Sequence, residues 1–417
     1  MNFYHVVFII LSCAIMVGYL NHRYIKMPTT IAVMGSSLLV SLFLIISGQM
    51  GLHGAGRGLS NMLISINFHD LLMNGMLSFL LFAGAMSVDL HDLRHRRWEI
   101  GILASLGTIA STVLVGGLSY YLLRAIGIEI DLIHCMLFGA LISPTDPIAV
   151  LAMFRQLGAP KEMSIFLEGE SLFNDGVGIV IFLTLYELAF NGHDISARAV
   201  SLLFLRQAGG GIIYGLILGY VAHQLMKSAD NHRLQILLTI AVATGGYAFA
   251  QILDISGPLA MVVAGIMVGN RVKELNNEGE SARRLHLFWE VIDEVLNILL
   301  FVLIGFELLI ITMPVNQLVA ALVAVPLVLG VRFVCVALPM QYFKRKQTYF
   351  PHMVKILTWG GLRGGLAVAL ALALPQSEYR NLILMMTYTV VIFAILFQGM
   401  TIKPMIAQSL RLQKSQT

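Results

Sequence analysis

Four carboxylates, Asp146, Glu168, Glu170 and Asp175, fall within the apolar stretch from Gly139 to Ile181, GALISPTDPIAVLAMFRQLGAPKEMSIFLEGESLFNDGVGIVI. The stretch reads as two membrane-length segments joined by a short loop that holds Arg155, Lys161 and Glu162. An ionised carboxylate near a bilayer centre costs at least ~2.5 kcal/mol on insertion scales, so acids in two adjacent spans need partners or a task. If the second segment is a helix, Ser171 and Asp175 stand four residues apart, and Glu170 and Asn174 do the same on the neighbouring strip. One face then offers a carboxylate, a hydroxyl, an amide and a second carboxylate within two turns. Asp146 lies between Pro144 and Pro147, which a continuous helix does not accommodate. Backbone groups freed at membrane depth are tolerated only in protein or beside a polar cavity, so Thr145–Asp146 can contribute a carbonyl oxygen. Oxygen donors with one or two carboxylates suit a hard monovalent cation, and nothing in the set suits a soft metal. The competing reading is structural: these acids pair with Arg332 or cap helix ends.

Two arginines sit inside apolar runs. Arg332, in LVLGVRFVCVAL, requires a partner, and Glu170 is the best candidate for a structural ion pair. Arg363, in TWGGLRGG, follows two glycines where helix carbonyls are exposed. It can offset their negative dipole end while Asp146 offsets the N-terminal ends across the site. His134 and His223 lie at or within spans and read as satisfied polar residues rather than proton relays. The methionines show no clustering with histidine, which argues against copper. Cys13, Cys135 and Cys335 have apolar contexts and no CxxC spacing, so a disulfide framework is not expected.

Positioning such residues takes a membrane scaffold. Of the 417 residues, 58% are hydrophobic and only 12% charged, and mean hydropathy is +0.82. That composition defines an all-α polytopic membrane protein. The N-terminal apolar run lacks a basic n-region and is long, so it reads as the first span rather than a signal peptide. Thirteen spans of about twenty residues are expected, near 3–20, 28–48, 70–88, 100–123, 132–154, 163–190, 200–226, 234–253, 255–270, 286–311, 316–342, 352–374 and 381–402. Residues 49–70 read as a loop with a short interfacial helix. Asp89, Asp92 and the cations after them read as a solvated loop. Of the 27 Lys and Arg, twenty fall on one side of this arrangement. Five fall on the other (Arg57, Arg124, Arg198, Arg206, Arg380), and Arg332 and Arg363 lie within spans. The split predicts an N-terminus outside and a C-terminus inside. Span five breaks at SPTDP and span twelve at TWGGLRGG, the fifth of 1–6 and the fifth of 8–13. Paired interruptions in corresponding positions predict inverted repeats with two broken crossing helices. The whole chain, 1–417, is expected to be one transporter domain without a soluble regulatory domain, and the formal charge of +4 carries no sign of nucleic-acid binding.

GALISPTDPIAVLA, EGESLFNDGVGIV, SGPLAMVVAGIMVG, FWEVIDEVLNILLFVLIG and WGGLRGGLAVALAL together resemble the cation:proton antiporter-1 family, the monovalent cation/proton exchangers of the NhaP and NHE type. The resemblance implies a core of about 100–190 and 316–402 and a dimerisation scaffold of about 1–99 and 200–311. It also implies elevator-type alternating access, a homodimer in a bacterial inner membrane, and exchange of Na+ or Li+ for H+, electroneutral and one for one. By motif match Asp175 would bind the ion with Asn174 beside it. Ser171 and Thr145 would be further ligands of Na+, Asp146 a supporting acid, and Glu170 the partner of Arg332. No cofactor is implied beyond the transported Na+ and H+. One departure stands out: many relatives carry Glu after the Leu-Phe of span three, where this chain has Ala83.

Three rivals are weighed. An intramembrane aspartyl protease would need GxGD, whereas Asn174 precedes Asp175, and a rhomboid-type enzyme would need GxSG. A cation channel would need a filter and pore loop rather than paired broken helices. A K+/H+ antiporter of the same fold stays open, because an oxygen lining does not fix ion size.

Overall fold

The computed structural model describes residues 3–50, 68–190, 197–229, 231–276, 280–309, 315–345 and 349–414. The expected interfacial helix between 51 and 67 lies outside these residues.

The first helices are α1 (Phe3–Leu20), α2 (Thr29–Gln49) and α3 (Phe68–Ser87). A short α4 (Leu90–His95) follows where a solvated loop is expected, started by Asp89, whose side chain accepts from the His91 amide at 2.9 Å. Next come α5 (Arg97–Ala125), the half-helices α6 (Leu132–Ile142) and α7 (Ile148–Leu157), and α8 (Lys161–Phe190). Beyond these lie α9 (Ala197–Lys227), α10 (His232–Ile252), α11 (Gly257–Asn276), α12 (Glu280–Glu307) and α13 (Val315–Phe343). A second pair of half-helices, α14 (Met353–Gly360) and α15 (Gly365–Leu372), precedes the last helix, α16 (Tyr379–Gln413).

With each pair of half-helices taken as one crossing, and α4 set aside, the described helices group into the thirteen expected spans. Nine are long and apolar enough to cross a membrane by length and composition alone. The broken pairs fail that criterion because their halves are short. The α11 and α12 helices carry too much charge at their ends: α12 opens ESARRLHLFWEVIDE. The last span overruns its expected end at 402. The helix packs on α14, where Trp359 donates to Thr401 Oγ1 at 2.9 Å and Gln398 donates to the Trp359 carbonyl at 3.0 Å, and its extension reaches the segment before α14, where Ser409 donates to the Pro351 carbonyl.

Without a hydrophobic drive between lipid-facing surfaces, close helix packing falls to small residues. Gly211 and Gly215 bring α9 onto α11, where an added Cβ would stand 2.7 Å from the Ser256 and Ala260 carbonyls. Gly116 does the same for α5 on α6, 2.8 Å from the Met136 Cα. The Gly116 contact clamps the first half-helix against α5. The segments 96–99, 155–162 and 349–351, at helix ends and the turns between them, gather on one face. There Arg96 lies 3.8 Å from Glu162 and stacks over Tyr349, whose hydroxyl donates to Glu99 at 2.9 Å. We call this the basic face.

Candidate functional site

The two interruptions meet. The link 143–147 crosses the link 361–364, and the Asp146 amide donates to the Leu362 carbonyl at 2.9 Å in one antiparallel bridge. The carbonyl ends of α6 and α14 and the amide ends of α7 and α15 therefore converge at the crossing, bringing partial charges of both signs with them. Each sign has a compensating side chain. Arg363, 2% exposed, donates through Nη1 to the Ser143 and Pro144 carbonyls at 3.0 and 3.1 Å. Asp146 accepts from the Ile148 amide at 3.0 Å, and its carboxylate lies so close to Gly364 that a Cβ there would overlap it.

Helix α8 passes beside the crossing and fixes the Thr145 link. Asn174 uses both ends of its amide: Oδ1 accepts from the Thr145 amide at 3.2 Å, and Nδ2 donates to Thr145 Oγ1 at 2.8 Å. Ser171 donates through Oγ to the Thr145 carbonyl at 2.5 Å. Asn174 thus grips the peptide that carries the carbonyl, rather than facing open space beside Asp175. The Asp175 carboxylate is half-buried and makes no hydrogen bond to another described residue. The Ser171 hydroxyl, the Thr145 carbonyl outside any helix and the Asp175 carboxylate stand together, as the spacing of Ser171 and Asp175 on one helix requires.

These groups face a cavity of about 220 Å³. Thr145, Asp146, Glu168, Ser171 and Asp175 line it from one side, and Asp293 and Asn297 from α12 on the other. Leucines of α3 (Leu77, Leu80, Leu81) close much of the remaining wall. The exposed Ser87 and Arg155 in its lining place the opening toward the basic face. Ala83 is buried in α3 and does not line the cavity, and its position contributes no carboxylate here.

Glu170 does not line the cavity. It is 1% exposed and meets Arg332 in a two-pronged pair, Nη1–Oε1 at 2.5 Å and Nη2–Oε2 at 2.7 Å. Arg332 Nη2 also donates to the Leu357 carbonyl at 3.2 Å at the end of α14, which ties α8, α13 and the second broken span together. His134 stacks near Tyr379, 3.8 Å from Asp131, and neither it nor His223 lines the cavity. No cluster of three or more metal-ligating side chains occurs among the described residues.

Asp293 and Asn297 are the wall residues for which the sequence suggests no role. Their signal is present in FWEVIDEVLN: Trp289, Asp293 and Asn297 recur every fourth residue, and Trp289 is buried. A polar strip continuing a buried tryptophan along one helix must face the interior.

Two crossing broken helices, a free carboxylate at the crossing and a cavity opening to one face define an ion-transporting membrane protein. Residues 8–408 match the transmembrane region of the sodium/hydrogen exchangers, and the chain belongs to that family. It is 42% identical over 392 residues to the Na(+)/H(+) antiporter NhaP of Pseudomonas aeruginosa, a match spanning 93% of this chain and 92% of that one. It is 32% identical over 420 residues to the Na(+)/H(+) antiporter NhaH of Halobacillus dabanensis, spanning 97% and 98%. The fold is similar to that of the sodium proton antiporter MjNhaP1 from Methanocaldococcus jannaschii, with a TM-score of 0.77 at 17% identity and 98% of each chain covered. The family is one of cation/proton antiporters rather than enzymes.

Proposed function

We propose that the protein exchanges Na+ or Li+ for H+, one for one and without net charge movement, at Asp175. The observation that carries this reading is the free Asp175 carboxylate beside the Ser171 hydroxyl and the Thr145 carbonyl, at the crossing of the two broken helices. Cation and proton compete for the same carboxylate oxygens, so the site holds one or the other. Asn174 cannot titrate and adds no second proton. Na+ takes oxygens from Asp175, Ser171 and Thr145, while Asn174 holds the Thr145 peptide in register. Asp146 serves the amide ends of α7 and α15, Arg363 the carbonyl ends, and Glu170–Arg332 is a structural pair. The choice of Na+ follows the relatives NhaP and NhaH, which are Na(+)/H(+) antiporters by name.

The core, about 100–190 and 316–402, carries the site as one unit against a scaffold of about 1–99 and 200–311 in an elevator-type movement. The exposed apolar side chains of α9 and α1, among them Leu205, Ile213, Tyr220 and Phe8, face lipid and a second copy in a homodimer. The basic face lies in the cytoplasm of a bacterial inner membrane, with the N-terminus outside. The experiment is Na+-, Li+- and K+-driven proton flux in everted vesicles of cells expressing the chain. Flux with Na+ and Li+ and little with K+ supports the reading; flux with K+ alone replaces Na+ by K+.

A further inference from the structure

The cavity wall comes from two bodies. Asp146, Glu168 and Asp175 belong to the half of the molecule read above as the moving core. Asp293, from α12, is the one charged residue among the described residues that the scaffold contributes to the lining. Arg155 at the rim is the lining's one side-chain cation other than histidine among the described residues. It points to Glu290 at 4.0 Å, one turn toward the basic face from Asp293. That pair is largely exposed and weak. At alkaline pH Asp293, which is in no ion pair with another described residue, adds a negative charge to the passage between the basic face and Asp175. Asn297, 4% exposed, lies one turn deeper and donates to the Asp293 carbonyl at 2.9 Å.

We propose that Asp293 is an access residue that concentrates cations in the cavity from the basic face and sets the apparent affinity from that face alone. The inference rests on the division into core and scaffold and on Asp175 as the ion site. When the core carries its three acids to the opposite face, Asp293 stays with α12 and its field no longer acts on the arriving ion. A negative wall raises local Na+ and local H+ by the same factor. Removing it leaves the exchange equilibrium unchanged and slows loading at one face. The effect on Na+ is clearest at alkaline pH, where protons compete least.

The test is Asp293→Asn in vesicles of known orientation at alkaline pH, with Na+ supplied at either face. The expected result is a rise of roughly three- to tenfold in apparent KM for Na+ at the basic face, with maximal rate and opposite-face KM unchanged. The difference shrinks as choline chloride raises ionic strength, and Asp293→Glu restores the parent value. An equal rise at both faces, a loss of maximal rate, or a shift indifferent to ionic strength overturns the inference. Asp293→Ser serves as a second neutral variant, with melting in detergent recorded for both. Asp175→Asn run alongside keeps the two readings apart: exchange by that variant removes Asp175 as the site, whatever Asp293→Asn does.

Discussion

Asp175 differs from Asp146 and Glu170 in what it touches. Asp146 is spent on the Ile148 amide and Glu170 on Arg332, whereas Asp175 makes no hydrogen bond to a described residue and faces the cavity. Asp175→Asn should abolish exchange while the protein folds with unchanged or higher thermal stability, since no fixed charge remains in an empty site. Ser171→Ala should mainly raise the apparent KM for Na+, by about fivefold for the loss of one neutral interaction. Steady-state flux in vesicles reads both. Because proton and cation share one carboxylate, the apparent KM for Na+ should also rise about tenfold for each unit of pH lowered, once the proton holds the site. A KM indifferent to acid would contradict shared binding. The pairing of Glu170 with Arg332 predicts that Glu170→Ala or Arg332→Ala each strands a buried charge, at a cost of roughly 3–5 kcal/mol. The double replacement by apolar residues should recover part of that loss, and additive losses in detergent melts would contradict the pair. At this scale the sequence was informative because side-chain chemistry is expensive in lipid: each intramembrane charge had to have a reason. Which acid has which partner was less legible, since contacts between α8 and α13 depend on tertiary packing that spacing within one helix does not report.

The interruptions at SPTDP and TWGGLRGG were readable as breaks because proline and glycine act on the local backbone. The Asp146–Leu362 bridge that joins them, 216 residues apart in sequence, was not. Nor was the grip of Asn174 on Thr145, which makes Asn174 the clamp of the peptide proposed as an ion ligand. The crossing tolerates little bulk. Gly364→Ala places a Cβ against the Asp146 carboxylate and should displace it from the α7 amide, with exchange severely reduced. Arg363→Ala leaves the Ser143 and Pro144 carbonyls buried without their donor, a loss of about 1–3 kcal/mol per unsatisfied group. It should lower the melting temperature as well as the flux. Normal melting with Arg363→Ala would mean that the carbonyl ends find other partners. The solvated loop expected at 89–97 became a short capped helix. Surface charge marks exposure, and it does not by itself tell a loop from a helix that begins at an aspartate.

At the scale of the whole molecule, the proposed orientation rests on twenty cations expected on one side against five on the other, and Arg155 of the cavity lining belongs to the first group. A cysteine at the end of α16 should accordingly be labelled by an impermeant thiol reagent only in everted vesicles. The account as a whole turns on one carboxylate trading one cation for one proton. Its most direct test uses purified protein in sealed liposomes with a Na+ gradient, where internal pH and membrane potential are followed together by dyes. The prediction is a change of internal pH that follows the Na+ gradient with no potential developing, at a rate unaffected by an imposed potential. A potential generated by transport, or a rate that tracks an imposed one, would contradict it and require a second charge to travel with the ion.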